Sequence, residues 1–413
     1  MARLKVGVFG TGRGMHLAHN FNLLGCETVA ICDFHEERLE RAAKQVGENV
    51  AVYKDFDEFI KHDMDVVILA NFFHEHAPYA IKCFEKGIHV YSECISNGTM
   101  AEGVELVRAF EKSSSIYMLA ENYPQMIFNR EAKRVADGGS LGKIVYAEGE
   151  YNHPTNPYDK EFKKMHVYYR EHWRNYLPAS YYITHSLGPV MHVTGATPKR
   201  VTAFGCYAPN DADIPFAKQT ADIAAEVMTL NDDGSVFRIT GCAGFGGQHN
   251  AYRFCGTKGQ IENVRGLGKV MLRYNDWETP EGMEPTTLYE PQWNDKDEEL
   301  IKKSGHGGAD YITARKFVEC IKENKQPEHP FDIYSAINMS SVAILAHRSM
   351  LEGGVPYDIP DFHLESEREK YEGDRLTPFV SPDGDEPTLP SCSHPDYKPK
   401  ESQLKAFDEL LRS

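Results

Sequence analysis

The chain has 413 residues, 41% of them hydrophobic, and carries a formal net charge of -16. That length exceeds what one hydrophobic core organises, so two domains are expected. An acidic balance of this size repels phosphate backbones and anionic lipid, which argues against nucleic acid or a membrane surface as a partner. The N-terminus passes from "MARLK" straight into "VGVFG", leaving no room for a signal peptide, and no apolar run approaches a membrane span. The nine cysteines are scattered and never fall as C-x-x-C, so the expectation is a cytoplasmic protein with reduced core thiols.

Up to about residue 120, short apolar runs alternate with helical patterns. "LKVGVFG" leads to a helix from about Met15, "TVAICD" to one from about His35, and "VAVY", "DVVILA", "HVYSE" and "SIYMLAEN" follow with helices between most of them. This β-α alternation predicts an α/β fold that opens with a doubly wound parallel sheet, residues 1–123. The grammar then changes. A helix at "FNREAKRVADGG" precedes "KIVYAEGEY", "RVTAFGCY", "AAEVMTLNDDGSVFRITGC" and "AYRFCGTKGQIENV", strands with hairpin signals such as "NDDGS". Residues 124–362 are therefore expected to form an α+β domain on an open, mostly antiparallel sheet. Residues 363–413, rich in Pro, Asp and Ser before an amphipathic "LKAFDELL", are expected to be an extended tail lying on the body.

In "VGVFGTGRGMHLA", Gly10, Gly12 and Gly14 sit between a strand and a helix, where a turn without Cβ atoms lets backbone N–H groups approach a pyrophosphate. The third glycine of G-x-G-x-x-G would fall on Met15, so the match is imperfect. Asp33 strengthens it. It ends the second strand, where a carboxylate accepts the adenosine ribose hydroxyls, and with Phe34 rather than arginine beside it a 2'-phosphate meets negative charge. NAD is expected over NADP, the alternative being that Asp33 only caps the following helix.

The order of the glycine-rich turn, "CDFHEERLERA", "ANFFHEHAPYAIKCFEKGIHVYSE", "LGKIVYAEGEY" and a late "GTKG" resembles the Gfo/Idh/MocA oxidoreductases across roughly residues 4 to 362. That resemblance implies a nucleotide domain, a substrate domain and action on sugars, inositols or their derivatives. Two departures stand out. The family's E-K-P becomes Glu93-Cys94-Ile95, without the lysine that handles the substrate hydroxyl, and its later Asp and His four residues apart are replaced by "YYITHSLGPVMH". Both departures, with "MLAENYPQM", "GEYNHP" and "GHGGADYITARKFVECI" through "PYDIPDF", are similar to glycoside hydrolase family 109, which carries T-H-G-L-G-P and lacks that lysine. Members of that branch bind NAD tightly and cleave glycosides without net redox change.

The resemblance maps His185, Tyr151 and Tyr311 onto the branch's active-site residues and Glu93 onto its acid beside the cofactor. Arg13, Asn71 and His74 complete the expected cofactor contacts. His153 joins the catalytic candidates because an imidazole titrates in the useful range, and the tyrosines offer phenols that donate protons or, with a depressed pKa, accept them. Each has a plainer reading. His185 is also a helix-entry residue, Tyr151 is also a core residue on a strand, and Cys94, at the end of a buried strand with no cation in view, reads as inert packing. His74 to His76, "HEH", suits neither a helical zinc pair nor a tetrahedral set, so no metal is expected. Tyr168, Tyr169 and Trp173 around "HWR" suit either a sugar face or a subunit interface.

Three functions follow, in order of preference: redox-neutral cleavage of a carbohydrate glycoside through transient C3 oxidation, a net sugar or inositol dehydrogenase or reductase, and a non-catalytic NAD-binding regulator. A homo-oligomer formed through the second-domain sheet is expected.

Overall fold

The computed structural model describes residues 3–47, 49–212 and 214–413. Six strands, β1 (Lys5–Phe9), β2 (Glu27–Cys32), β3 (Ala51–Tyr53), β4 (Val66–Leu69), β5 (His89–Ser92) and β6 (Tyr117–Leu119), form a wholly parallel sheet in the order 3-2-1-4-5-6. Strands covered on both faces read as unbroken apolar runs, as β4, "VVIL", does with all four residues buried. Helices α1 (Arg13–Leu23), α2 (Glu36–Val46), α3 (Phe56–Phe59), α4 (His76–Glu85) and α5 (Met100–Phe110) supply that cover. The strand order reverses between β1 and β4, which opens a crevice beyond their carboxyl ends.

The helix starts facing that crevice differ from the rest. Asp55 caps α3, and Thr99 with Glu102 makes a capping box on α5. Helix α1 has no side-chain cap and no acidic residue in its first turn, so its positive end is left for a ligand. It begins at Arg13 rather than near Met15, because the glycine-rich turn winds directly into its first turn.

Beyond α6 (Ile127–Asp137) lies β7 (Ile144–Asn152), then α7 (Lys160–His166), α8 (Trp173–Tyr176) and α9 (Thr184–Thr194). Strands β8 (Pro198–Tyr207), β9 (Asp222–Asn231), β10 (Val236–Ala243), β11 (His249–Gly256), β12 (Gly259–Asn263), β13 (Val270–Tyr274), β14 (Thr286–Tyr289) and β15 (Tyr357–Asp358) complete a nine-stranded sheet in the order 14-13-12-11-7-10-9-8-15. Every pairing in it is antiparallel except β7 with β10. The β9–β10 hairpin turns at "NDDGS", where Gly234 takes a φ of 83°.

After α10 (Glu298–Ile301), α11 (Ala309–Glu323) returns to pack on α1, and the almost wholly buried α12 (Ile333–Leu351) touches α5, β6, α9 and β8. The two sheets are thereby joined by shared helices. Residues 363–413, with α13 (Glu365–Arg368) and α14 (Glu401–Arg412), lie against the body: Arg348 grips Asp374 at 2.6 and 2.7 Å, and Arg170 holds Asp408. Among the described residues no helix is long and apolar enough to cross a membrane.

Candidate active site

A cavity of about 1480 Å³ runs from the glycine-rich turn, past Asp33, Asn71 and Glu93, to Tyr151 and His185 on the second domain. Its volume exceeds the 300–1,000 Å³ of an ordinary ligand pocket and suits a dinucleotide with a second ligand. At the cofactor end, Gly10 has a φ of 90° and its absent Cβ would lie 2.2 Å from the Ala70 carbonyl, so only glycine lets the turn sit against β4. A Cβ on Gly12 would meet nothing within 4 Å except the Arg38 guanidinium, which leaves the turn open to a pyrophosphate.

Asp33 accepts from the Thr11 amide and hydroxyl at 2.7 and 2.8 Å and from the His35 amide at 2.8 Å. It therefore braces the turn while keeping lone pairs for ribose hydroxyls. The buried Asn71 Oδ1 lines the same cavity without a partner. An uncapped helix, an open glycine and an orphan acceptor fit NAD. One expectation changes in detail: no arginine follows Asp33 in sequence, yet folding brings Arg38 to Gly12, where it donates to the Met165 carbonyl and lies over the Tyr168 ring.

The strand ends converge on two histidine–carboxylate pairs. Glu121, fully buried just after β6, lies 2.9 Å from His185 Nδ1 through either oxygen, and it also accepts from the Tyr123 amide and the Cys94 thiol. Burial would raise the Glu121 carboxyl, but the His185 imidazole carries it below its ordinary value. Gly188 in "THSLGP" permits this approach, since a Cβ there would sit 2.8 Å from Glu121 Cγ. With Nδ1 engaged, His185 has Nε2 to offer the cavity.

Three phenols wall the His185 ring: Tyr123 stacked at 4.0 Å, with Tyr151 and Tyr182 edge-on at 5.1 Å. Burial pushes Tyr123 up to about 12 and Tyr151 and Tyr182 well above the ordinary phenol value. They are donors here, not the proton acceptors that a depressed pKa would make.

The second pair is His306 Nδ1 with Asp310 Oδ2 at 2.9 Å. Asp310 is buried and takes further hydrogen bonds from Asn122 at 2.6 Å and from Arg13 at 2.7 and 3.1 Å. Arg13 also reaches Glu93 at 3.0 Å. Burial opposes both charges, yet the Arg13 guanidinium is held strongly charged by Glu93 and Asp310, and Asp310 falls far below the carboxylate range through His306 and Arg13. The ring of Tyr123 lies between the pairs, 6.0 Å from His306. A cation thus stands beside Glu93, but it comes from α1 rather than from the position after Glu93.

Several expected residues lie elsewhere. Gly14 faces β1, where a Cβ would be 2.6 Å from Val8 Cγ1, so it serves helix–strand packing and not the cofactor. His74 stacks on Phe379 of the C-terminal segment at 4.2 Å, and burial pushes it down to about 3; its neighbour His76 lines the cavity instead. Tyr311 is buried on α11 with its hydroxyl beside Asp297, and burial pushes it up to about 12. His153 is not among the cavity-lining residues; it stacks on Tyr151 at 5.6 Å, and burial lowers its pKa. Gly10, Gly12, Arg13, Asp33, Asn71, Glu93, Tyr151 and His185 do meet in the cavity. Burial, then Glu121 and Glu93, raises the Cys94 thiol well above its usual value, which makes it a poor nucleophile.

Sequence reasoning missed Glu121, His306 with Asp310, and Tyr182, while Arg174 of "HWR" lines the cavity. For Glu121 a signal existed: "LAEN" ends a buried strand on a carboxylate, as "YSE" does.

Residues 4–121 match the family model described as oxidoreductase family, NAD-binding Rossmann fold, and residues 248–367 match glycosyl hydrolase 109, C-terminal domain. Together the two matches support the Gfo/Idh/MocA oxidoreductases, on the glycosyl hydrolase 109 branch, as the family of this chain. Like others of this family it is an NAD-dependent enzyme. It is 24% identical over 403 residues to glycosyl hydrolase family 109 protein 1 of Bacteroides thetaiotaomicron, covering 87% of this chain and 84% of that one. It is 27% identical over 403 residues to an alpha-N-acetylgalactosaminidase of Shewanella oneidensis, covering 88% and 85%. Among solved structures, levoglucosan dehydrogenase in complex with NADH and L-sorbose has a similar fold, with a TM-score of 0.71 at 18% identity, covering 87% of this chain and 100% of that one.

Proposed function

We propose that this enzyme cleaves a glycoside without net redox change: C3 of the sugar is oxidised, the aglycone leaves by elimination across C1 and C2, water adds, and C3 is reduced again. The observation that carries this reading is the Glu121–His185 pair, a reversible proton acceptor in a site whose strand end has Cys94 in place of a lysine. The glycosyl hydrolase 109 relatives support it. NAD, when bound, accepts a hydride from a carbinol carbon and gives it back.

His185 takes the C3 hydroxyl proton on Nε2, and the Glu121 carboxylate stabilises the imidazolium that results. The C3 ketone acidifies C2–H. His306, oriented by Asp310, removes that proton, and the C1–O bond breaks as the aglycone oxygen takes a proton from the same imidazolium or from the Tyr182 or Tyr151 phenol. Water then returns hydroxyl to C1 and a proton to C2, and His185 returns its proton to O3. Arg13, held by Glu93 and Asp310, places a permanent positive charge beside the reacting groups.

Residues 1–123 serve the cofactor and 124–362 the substrate in this scheme. The outward Phe204, Met228 and Leu230 on β8 and β9 suit pairing with a second copy.

The test is turnover of a glycoside panel in heavy water. Deuterium at C2 of the released sugar, without stoichiometric NADH, is expected. Stoichiometric NADH from a free sugar with no aglycone release would mean a net dehydrogenase instead.

A further inference from the structure

Arg174 on α8 lines the cavity, and its guanidinium lies over the Trp173 ring at 4.4 Å, while Trp173 itself stacks on Phe73 at 5.2 Å. Among the described residues its side chain makes no ion pair and no hydrogen bond to protein. Arg13, Arg315 and Arg348 by contrast each hold a carboxylate at 2.6–2.7 Å, and Arg130, which lies over the Trp293 ring without a carboxylate among the described residues, is outside the cavity. A guanidinium has five donors in a planar fork, and leaving all of them without an anion in a desolvated cleft is costly unless a ligand supplies one.

Lys218 adds a second uncompensated cation. Its segment is tied to α8 through the Gln219 amide and the Asn175 carbonyl at 2.6 Å, and its ammonium has no carboxylate partner among the described residues. Burial lowers the Arg174 pKa, and Lys218, exposed on the adjoining segment, carries a second positive charge on the same side. Lys163, which donates to the Pro157 and Pro215 carbonyls, feels the Lys218 charge as well. In a chain with a net charge of -16, positive charge accumulates here, beside Tyr182 and the walls of His185.

We infer that Arg174 and Lys218 form a subsite for an oxyanion carried by the substrate, so that the enzyme takes anionic glycosides, bearing a carboxylate or a phosphate, in preference to neutral ones. This rests on reading the cavity as a glycoside site. A neutral hydroxyl satisfies a guanidinium's donors but leaves its charge in the cleft uncompensated, whereas a carboxylate or phosphate matches the planar fork and neutralises it. Arg38, next to Gly12, faces the cofactor end, which leaves Arg174 in the cavity to the substrate, with Lys218 outside the lining adding positive charge.

The experiment is calorimetric titration of NAD-loaded protein with matched ligands: methyl glucoside and galactoside against the methyl glycosides of their uronic acids and against their 6-phosphates. At least one anionic member is expected to bind tenfold or more tightly than its neutral counterpart, with the advantage shrinking as salt rises. In Arg174→Gln and in Lys218→Gln that advantage should fall to threefold or less while NAD affinity is unchanged. Lys218 is exposed, so its variant keeps the test valid if Arg174→Gln folds poorly. Equal binding of neutral and anionic ligands, or a preference that survives both substitutions, overturns the inference. A loss of NAD affinity in Arg174→Gln does so too, because the guanidinium then belongs to the cofactor's phosphates. If the anionic ligands bind as expected but heavy-water turnover yields no C2 deuterium, the subsite stands and the cleavage mechanism fails.

Discussion

Glu121→Gln removes a charge and little else, because glutamine has nearly the same shape and can still accept from the His185 ring. At 2.9 Å, a carboxylate and an imidazolium attract by about 6 kcal/mol at an effective dielectric near 20. Most of that is offset by the cost of burying a carboxylate with no exposure at all. The net worth of a hydrogen bond to a charged group is about 1.5–3 kcal/mol. If His185 becomes charged only as the C3 hydroxyl loses its proton, this difference belongs to the transition state, so kcat/KM should fall about 10- to 150-fold. NAD affinity should stay the same, since Glu121 stands apart from the glycine-rich turn. Aglycone release from the best member of the glycoside panel, with cofactor titration of the variant, reads both. Cys94→Ala is the matched control: it removes only a thiol donor to the same carboxylate and should cost less than about tenfold. A folded, NAD-loaded Glu121→Gln protein with unchanged kcat/KM would refute the reasoning, because the carboxylate would then be only a buried partner.

Asp33→Ala should weaken NAD binding about 10- to 100-fold, the range for the net loss of one hydrogen bond to a charged acceptor, and relax discrimination against NADP; fluorescence titration with both cofactors checks this, and unchanged NAD affinity would reduce Asp33 to a brace for Thr11 and His35. Glu75, whose side chain lines the cavity at 17% exposure, is raised from 4.5 to about 7 by burial and then by Glu102. A raised carboxyl takes up its proton more readily in the folded state, so stability is lost as pH rises from about 4.5 through about 7. Glu75→Gln should accordingly stabilise by about 1–3 kcal/mol at pH near 8 and by almost nothing at pH near 5, as chemical denaturation at the two values will show. Asp374→Ala leaves the Arg348 guanidinium, 10% exposed, without its carboxylate and should cost about 3–5 kcal/mol. Urea unfolding together with limited proteolysis of residues 363–413 measures it, and a loss below about 1 kcal/mol would show that the C-terminal segment is docked by other contacts.

The parallel sheet and its cofactor turn were legible in the chain because their signals are local. "VVIL" and "TVAIC" declare buried strands, Gly10 and Gly12 sit next to each other along the backbone, and Asp33 ends a strand at a known distance from them. The antiparallel sheet announced itself through "NDDGS", a turn encoded in five consecutive residues. His185, Tyr151 and Glu93 were named through resemblance, and the cavity does contain them. What no local pattern held was partnership. Glu121 and His185 are 64 residues apart, and Arg13 and Asp310 are 297 apart. Such pairs exist only once α9 and α11 have folded back onto the ends of β6 and β1. The same distance in sequence misplaced His74, whose ring is drawn to Phe379 of the last fifty residues, and Tyr311, which sits one residue past the Asp310 that reaches the site. On a helix, adjacent side chains point about 100° apart, so a motif can carry the right segment to the cavity while its neighbour faces the core. Side-chain direction and long-range charge pairing are properties of packing, and only the tertiary structure could decide them.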